Sequence, residues 1–453
     1  MKNLPIGDIA ISKKTLRILC LFDYNAHTGF ATVSTNIIRE IKKIFGNTDQ
    51  YAGILLDICA INYFGERDKD GKITKTYYQE DKATVVFSAL FSVPLKSTPE
   101  AKDDFGRNGF LWILKHSNDE DENDTTPRGY NGIFIIQDAP VINDIVPLLE
   151  IIKKENQEKN LPNFKSIFYF PADFEMVDQV LDKLGFFDLL ITYNEYSRNA
   201  VLKWRPEFKP KLKVIPHGID LKQFYPIDNQ AQINDFRKEY FGNNADKFIV
   251  LNLNRNQPRK DIPCTVFGFK EYQKENPNAF LYLHMNPRDP KGWDMRLLMM
   301  QVGLREGIDY MFPPVDKENH GHTTAELNLI YNACDVYVTT TKGEGWGLGV
   351  TEAMACRLPV ICPMHTSFTE IGDYGRRVYP LENLYPICTV DDNIVREQCD
   401  YLEVAEKLKE AELDIKTNNP NLTKKLDMAL SYVQSLHWPG IAQQFAEYFK
   451  QVF

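Results

Sequence analysis

The chain has 453 residues, 43% of them hydrophobic and 25% charged, with a formal net charge of −9. That length exceeds one ordinary domain and that composition fits a soluble globular protein, so two or three domains are expected. The negative balance argues against a broad nucleic-acid or anionic-membrane surface, and no apolar run reaches the roughly 18 residues of a membrane span.

The N-terminal stretch MKNLPIGDIAISKKTLRILCLF does not read as a signal peptide, because Asp8, Lys13, Lys14 and Arg17 interrupt its apolar residues. Strands and helical patterns then alternate. LRILCLF (16–22), YAGILLDICA (51–60), TVVFSAL (84–90), GIFIIQ (132–137), SIFYF (166–170), DLLITY (188–193) and KLKVIP (211–216) read as strands. Between them lie helical segments such as TVSTNIIREIKKIF and APVINDIVPLLEIIKKEN. A second series follows Pro226: KFIVLNLN (247–254), NAFLYLHMN (278–286), DVYVTTT (335–341) and LPVICP (358–363). Such alternation predicts parallel sheets covered by helices on both faces, hence two doubly wound α/β domains with a boundary near Pro226 to Asp235. We expect domains at 1–226 and 227–437, with a final helix over 438–453 packing back on the first. The acidic, turn-rich segment within 96–130 reads as a surface insertion. The helix IIREIKKIF is amphipathic with a basic side. Core packing is the expectation, and peripheral contact with a membrane stays open.

Eight cysteines are scattered without a CxxC pair. Cys20, Cys59, Cys334 and Cys362 sit in apolar strand-like contexts, which points to reduced thiols and a cytoplasmic setting. Without a secretory signal, the glycan acceptor patterns at Asn123 and Asn421 are discounted.

The chemistry concentrates in TTTKGEGWGLGVTEAMACRLPVI (339–361). Gly343, Gly345, Gly347 and Gly349 surround Glu344, and Glu352 follows inside a helix that opens near Gly347 to Val350. Glycine lets a ligand approach the backbone closely. The N–H groups at a helix start suit an anion such as a diphosphate. An acid on the loop and another on the helix can each accept from hydroxyls. One acid per sugar ring with a diphosphate between them describes a nucleotide sugar. A dinucleotide-binding glycine loop fits less well: after Gly345-x-Gly347 the third position holds Val350 rather than Gly or Ala.

EGWGLGVTEAMACRLPVI resembles the signature of retaining glycosyltransferases of family 4, which have the GT-B fold of two Rossmann-like domains facing each other across a cleft. NLIYNACDVYVTTT, with Tyr331, Asn332, Ala333 and Asp335, is similar to the helix and strand before it. VIPHGID (214–220), LNLNRNQPRKDI (251–262) and SLHWPGIAQQF extend the resemblance over most of residues 200–450. It implies that Glu344 contacts the transferred sugar and Glu352 the ribose hydroxyls. The backbone of Gly345, Gly347, Leu348 and Gly349 would meet sugar and phosphates. Arg255 and Lys260, five apart, would neutralise the donor diphosphate, with Arg259 an adjacent candidate. Phe312 and Pro313 would pack on the base. Gly29 would lie near the donor phosphates, where this chain has one glycine and the family usually a pair; neighbouring His27 would reach the cleft or be a plain polar residue of the loop.

On the acceptor side the family often has a histidine. Here Asp138, after Gln137, and Asp173 stand at comparable strand ends. Either would orient an acceptor hydroxyl or act as a base, or would cap the helix that follows. The resemblance implies a metal-independent, front-face transfer of a hexose from a UDP- or GDP-sugar co-substrate, with no further cofactor. The acceptor would be a glycan, lipid or protein hydroxyl. A same-fold epimerase or hydrolase, and a non-catalytic GT-B binding protein, are the alternatives. Asp68-Lys69-Asp70 reads as a hairpin turn rather than a metal site, and His320-Gly-His322 lacks further ligands. Arg357 stands where the family commonly has glycine.

Overall fold

The computed structural model describes residues 14–23, 28–45, 51–61, 77–78, 85–86, 110–111, 114–115, 129–314, 321–389 and 393–453. The chain divides into two compact units: Met1–Phe170 with Asp182–Ile191 and Ala442–Phe453, and Pro171–Leu181 with Thr192–Ile441. The segments 171–181 and 192–226, expected with the first domain, thus group with the second unit. Most of 96–130, together with His27, Asp68–Asp70 and His320, lies outside the described residues.

In the first unit, strands β1 (Lys14–Asp23), β2 (Tyr51–Ile61), β5 (Gly132–Ile136), β6 (Lys165–Phe170) and β7 (Leu189–Thr192) run in the order β2-β1-β5-β6-β7. The β1–β2, β1–β5 and β5–β6 pairings are parallel. Two-residue strands β3 (Tyr77–Tyr78) and β4 (Val85–Val86) form a separate antiparallel pair. The helix Gly29–Phe45 buries Ala31, Val33, Ile37, Ile38, Ile41 and Phe45 at helical spacing, and its basic residues Lys42 and Lys43 fall in the last turn. In the final helix, Trp438–Val452, Phe445 and Phe449 are fully buried and meet the ring of Phe134 edge-on at 5.9 and 5.2 Å. That packing gives β5 an apolar cover, as a strand buried on both faces requires.

The second unit begins its ordered strands with β8 (Leu212–Val214), after which Ile215 N donates to Thr192 O at 3.0 Å. Its main sheet holds β9 (Phe248–Asn252), β10 (Ala279–Leu283), β11 (Tyr310–Met311), β12 (Val336–Val338), β13 (Val360–Pro363) and β14 (Tyr379–Leu381). Their order is β11-β10-β9-β12-β13-β14, all parallel. Every residue of β10, β12 and β13 is buried, which is why the sequence shows them as unbroken apolar runs. The core gathers Val250, Leu281, Val336, Val338, Ile361, Phe269 and Tyr379. The chain winds outward one way from β9 to β11 and the other way from β12 to β14. A crevice therefore opens at the carboxyl ends of β9 and β12, where open α/β sheets bind their ligands. Two short strands, β11 and β14, and the antiparallel hairpin β15 (Leu384–Cys388) and β16 (Val395–Cys399) were not anticipated. Among the described residues, no helix is long and apolar enough to cross a membrane.

Candidate active site

The loops after β9 and β12 meet at this switch point. After β12, Thr339, Thr340 and Thr341 are buried and anchor the loop with their hydroxyls. Thr340 Oγ1 donates to Asp261 O at 2.8 Å, and Thr341 Oγ1 donates to Gly343 O at 2.9 Å. Gly343 follows with no room for a side chain: a Cβ there would run into the Asp173 carbonyl and the Arg396 guanidinium. Gly347 has φ +96° and begins the helix Leu348–Ala355. Only glycine takes that backbone cheaply, and an added Cβ would also meet the Phe368 ring. Leu348 and Gly349 thus present the first N–H groups of the helix, ahead of Val350 N, which bonds back to Gly347 O at 3.1 Å. Asn194 Nδ2 donates to Gly345 O at 2.7 Å and pins the loop between the two glycines. Trp346 is buried, and its indole N–H has no hydrogen-bond partner among the described residues.

Glu344 sits inside this loop with its side chain only 15% exposed. Lys260 Nζ pairs directly with its carboxylate, and Arg259 Nη1 lies 3.5 Å away. Burial pushes the Glu344 carboxyl up, but the two cations outweigh burial and hold it below the ordinary range. Burial lowers the Lys260 ammonium while Glu344 works to keep it charged. The Glu344 carboxylate is therefore ionised at neutral pH. Arg259 Nε also contacts Asp173 Oδ2 at 3.2 Å, and Arg396 Nη1 reaches that carboxylate at 3.5 Å and the Asp173 carbonyl at 2.9 Å. Beneath, Lys342 lies 3.8 Å from Asp261, whose backbone has φ +46° and whose carboxylate also accepts from Gln398 at 2.9 Å. Burial raises the Asp261 carboxyl against the pull of Lys342.

Glu352 projects from the second turn of the helix. Tyr331 OH donates to its Oε2 at 2.7 Å. Burial pushes the Glu352 carboxyl up to about 7, and the Tyr331 bond only partly offsets this. The two acids of the signature thus differ: Glu344 is held ionised by cations, and Glu352 is half protonated near neutrality. His365 supports the loop from behind, with Nε2 at 2.9 Å from Thr341 O and Nδ1 at 3.1 Å from Thr366 Oγ1, which in turn accepts from Glu344 N at 3.1 Å.

The other expected residues are placed as follows. Arg255 turns to Asp289, with Nε 2.7 Å from Oδ2, and its side chain is 57% exposed. It is Arg259 that joins Lys260 at Glu344. Phe312 is 3% exposed and packs in the hydrophobic core, with the Arg296 guanidinium over its ring at 5.2 Å. Pro313 is buried beside it. Asp173 caps no helix; it is an ion-pair partner. Asp138 stands at the N-cap of the helix Ala139–Glu158 without a side-chain capping bond, and its N–H donates to Gln137 Oε1 at 3.0 Å. Gly29 is the exposed first residue of its helix. Asp138 and Gly29 belong to the first unit, and the cation–acid cluster to the second. His322, paired in sequence with His320, bonds Tyr240 OH through Nε2 at 2.9 Å. Sequence reasoning missed Arg396, Gln398 and Lys342. Lys342 adjoins the glycine cluster and was within reach. The alternation of VREQC was the signal for the strand carrying Arg396 and Gln398, but nothing in it names their partners.

Residues 316–384 match the family model described as glycosyl transferases group 1. The chain is 26% identical over 232 residues to the probable sucrose-phosphate synthase of Thermosipho melanesiensis, covering 49% of this chain and 50% of that protein. It is 22% identical over 235 residues to the mannosylfructose-phosphate synthase of Agrobacterium fabrum, covering 50% and 49%. The chain thus spans about half the length of these curated relatives. Among solved structures, the sucrose-phosphate synthase of Thermosynechococcus elongatus superposes with a TM-score of 0.65 at 17% identity, over 97% of this chain and 99% of that one. HepE of Anabaena, crystallised with UDP and glucose, superposes with a TM-score of 0.60 at 15% identity, over 96% and 100%. These likenesses show the fold: two parallel-sheet α/β units of the GT-B type, with the glycosyl transferases group 1 match lying over the loop that holds Glu344 and Glu352.

Proposed function

We propose that the protein is a retaining glycosyltransferase of family 4 that moves a hexose from a UDP- or GDP-sugar to a hydroxyl acceptor. One observation carries the reading: an ionised, largely buried Glu344, held by Lys260 and Arg259, beside a helix start that only glycine can shape, at the switch point of a parallel sheet. Glu344 accepts from hydroxyls of the transferred sugar. Glu352, oriented by Tyr331, takes the ribose hydroxyls. The N–H groups of Leu348 and Gly349 and the cations Lys260 and Arg259 face the diphosphate, with Arg255 brought in from Asp289.

In the transfer the bond from the anomeric carbon to the diphosphate oxygen breaks, and the acceptor oxygen bonds to that carbon on the same face. The acceptor proton passes to the departing phosphate oxygen. Negative charge grows on that oxygen, and fixed cations in a site poor in water stabilise it. This supports a reaction that runs on side-chain cations, with no metal and no cofactor beyond the sugar nucleotide. A UDP-sugar leads because HepE was crystallised with UDP and glucose. Two relatives are named as synthases of sugar phosphates, so phosphorylated sugars head the acceptor panel. Seven cysteines are buried as thiols outside any disulfide, which supports a cytoplasmic setting.

The test is thermal-shift binding of UDP, GDP, ADP, dTDP and NAD to wild type and Glu352→Ala, followed by anomer-resolved NMR of the product with and without EDTA. One nucleoside diphosphate is expected to raise Tm in wild type and not in the variant. The product should keep the donor's anomeric configuration in EDTA. Binding of NAD alone, release of free sugar with every acceptor, or inversion would each overturn the reading.

A further inference from the structure

Strand β16 alternates. Val395 is 65% exposed, whereas Arg396 and Gln398 share the other face and reach the cation–acid cluster. The Arg396 side chain is 3% exposed, and its guanidinium lies over the Phe174 ring at 5.5 Å. A charge buried that deeply is costly unless it is matched. Its match is Asp173, through the carbonyl at 2.9 Å and the carboxylate at 3.5 Å. Asp173 therefore has two cations, Arg259 and Arg396, and Arg259 has two acids, Asp173 and Glu344. Across the cluster Arg259, Lys260, Lys342 and Arg396 face Asp173, Asp261 and Glu344.

A diphosphate entering this cluster needs a cation, and Arg259 is shared. We propose that Arg396 is a positioning residue for nucleoside diphosphate binding: it holds the charge of Asp173 so that Arg259 can turn from Asp173 to the diphosphate. This rests on the donor site read above. Without Arg396 the same movement would take both ion-pair partners from the Asp173 carboxylate, 22% exposed, and leave it only the more distant charge of Lys260, which Glu344 already engages. The hairpin β15–β16 is then the wall that keeps Arg259 exchangeable. No covalent step is involved; one ion pair is traded for another.

The experiment is calorimetric UDP binding to wild type, Arg396→Gln, Asp173→Asn and the double variant. Arg396→Gln is expected to weaken UDP by about tenfold or more, and Asp173→Asn in that background to restore affinity to within about threefold of wild type. A merely structural role would lower Tm in Arg396→Gln and leave the UDP affinity of the folded protein unchanged, so the loss and recovery are read in affinity and not in Tm. Unchanged affinity in Arg396→Gln, or a loss that Asp173→Asn does not relieve in a folded protein, overturns the proposal. If Arg396→Gln does not fold, Arg396→Lys keeps the charge and is expected to bind UDP within a few-fold of wild type; a tenfold loss there overturns it equally. Absence of nucleotide binding in wild type would instead sink the functional reading, so the two failures are distinct.

Discussion

Glu352 keeps a proton at a pH where an ordinary carboxyl has lost it, because burial raises it to about 7. In the unfolded chain the same group titrates near 4.5. Below the lower value both states are protonated and Glu352 costs nothing. As pH rises from 4.5 through 7 only the unfolded state gains by ionising, so stability falls over that window. Glu352→Gln removes the penalty. The variant is expected to melt higher than wild type at pH 8 and to approach it near pH 4, while losing nucleotide affinity. Thermal denaturation at the two pH values checks this, and an equal or lower Tm at pH 8 would refute the burial argument. Glu344 and Glu352 were legible from the sequence because acids spaced around glycines at a helix start have few other uses. The choice of Arg259 over Arg255 as the partner of Glu344 was not legible. Both lie in one loop, and only the position of Asp289 draws Arg255 outward.

The helix Thr324–Ala333 shows how local chemistry fixes an element. Thr323 Oγ1 accepts from Glu326 N at 3.2 Å, and Glu326 Oε2 accepts from Thr323 N at 2.6 Å, a reciprocal capping box. Thr323→Ala is expected to cost about 1 kcal/mol of stability, read as a lower midpoint in urea with nucleotide affinity little changed. An unaltered midpoint would show that the cap contributes nothing. The long parallel strands were legible for a different reason: burial on both faces demands an apolar run, and β10 and β13 supply one. Strands β11 and β14, two and three residues long, carry no period to read. The hairpin β15–β16 was missed too. Its strands lie partly exposed and the first carries Pro386 in its middle, so they read as loop.

At the scale of the whole chain, acid sensitivity follows from three buried histidines. Burial pushes His217 and His284 down to about 3 and His365 to about 4. Above pH 6.5 neither state holds these protons. As pH falls below 6.5 the unfolded chain takes them up and the folded chain does not, so stability is lost progressively toward pH 4. Glu352, Asp261, Asp335 and Glu370 work in the opposite sense over part of that range, because burial raises their carboxyls, while Glu344, Asp188, Asp289 and Asp309, held low by their partners, add to the loss at its acid end. The Tm is expected to fall steadily between pH 6.5 and pH 4.5 in low-salt buffer, and a flat or rising Tm would contradict the burial of these rings. The sequence by itself determined the α/β class, the positions of most main strands along the chain, and the glycine loop and helix start that carry the two acids. Those features are written in spacing along the chain, where periodicity and helix-start chemistry act between near neighbours. The tertiary structure decided which charges meet. Arg396 reaches Asp173 across 223 residues, and Lys260 reaches Glu344 across 84. Separation of that size leaves no trace in local pattern, because a buried charge is matched by whatever the fold brings beside it.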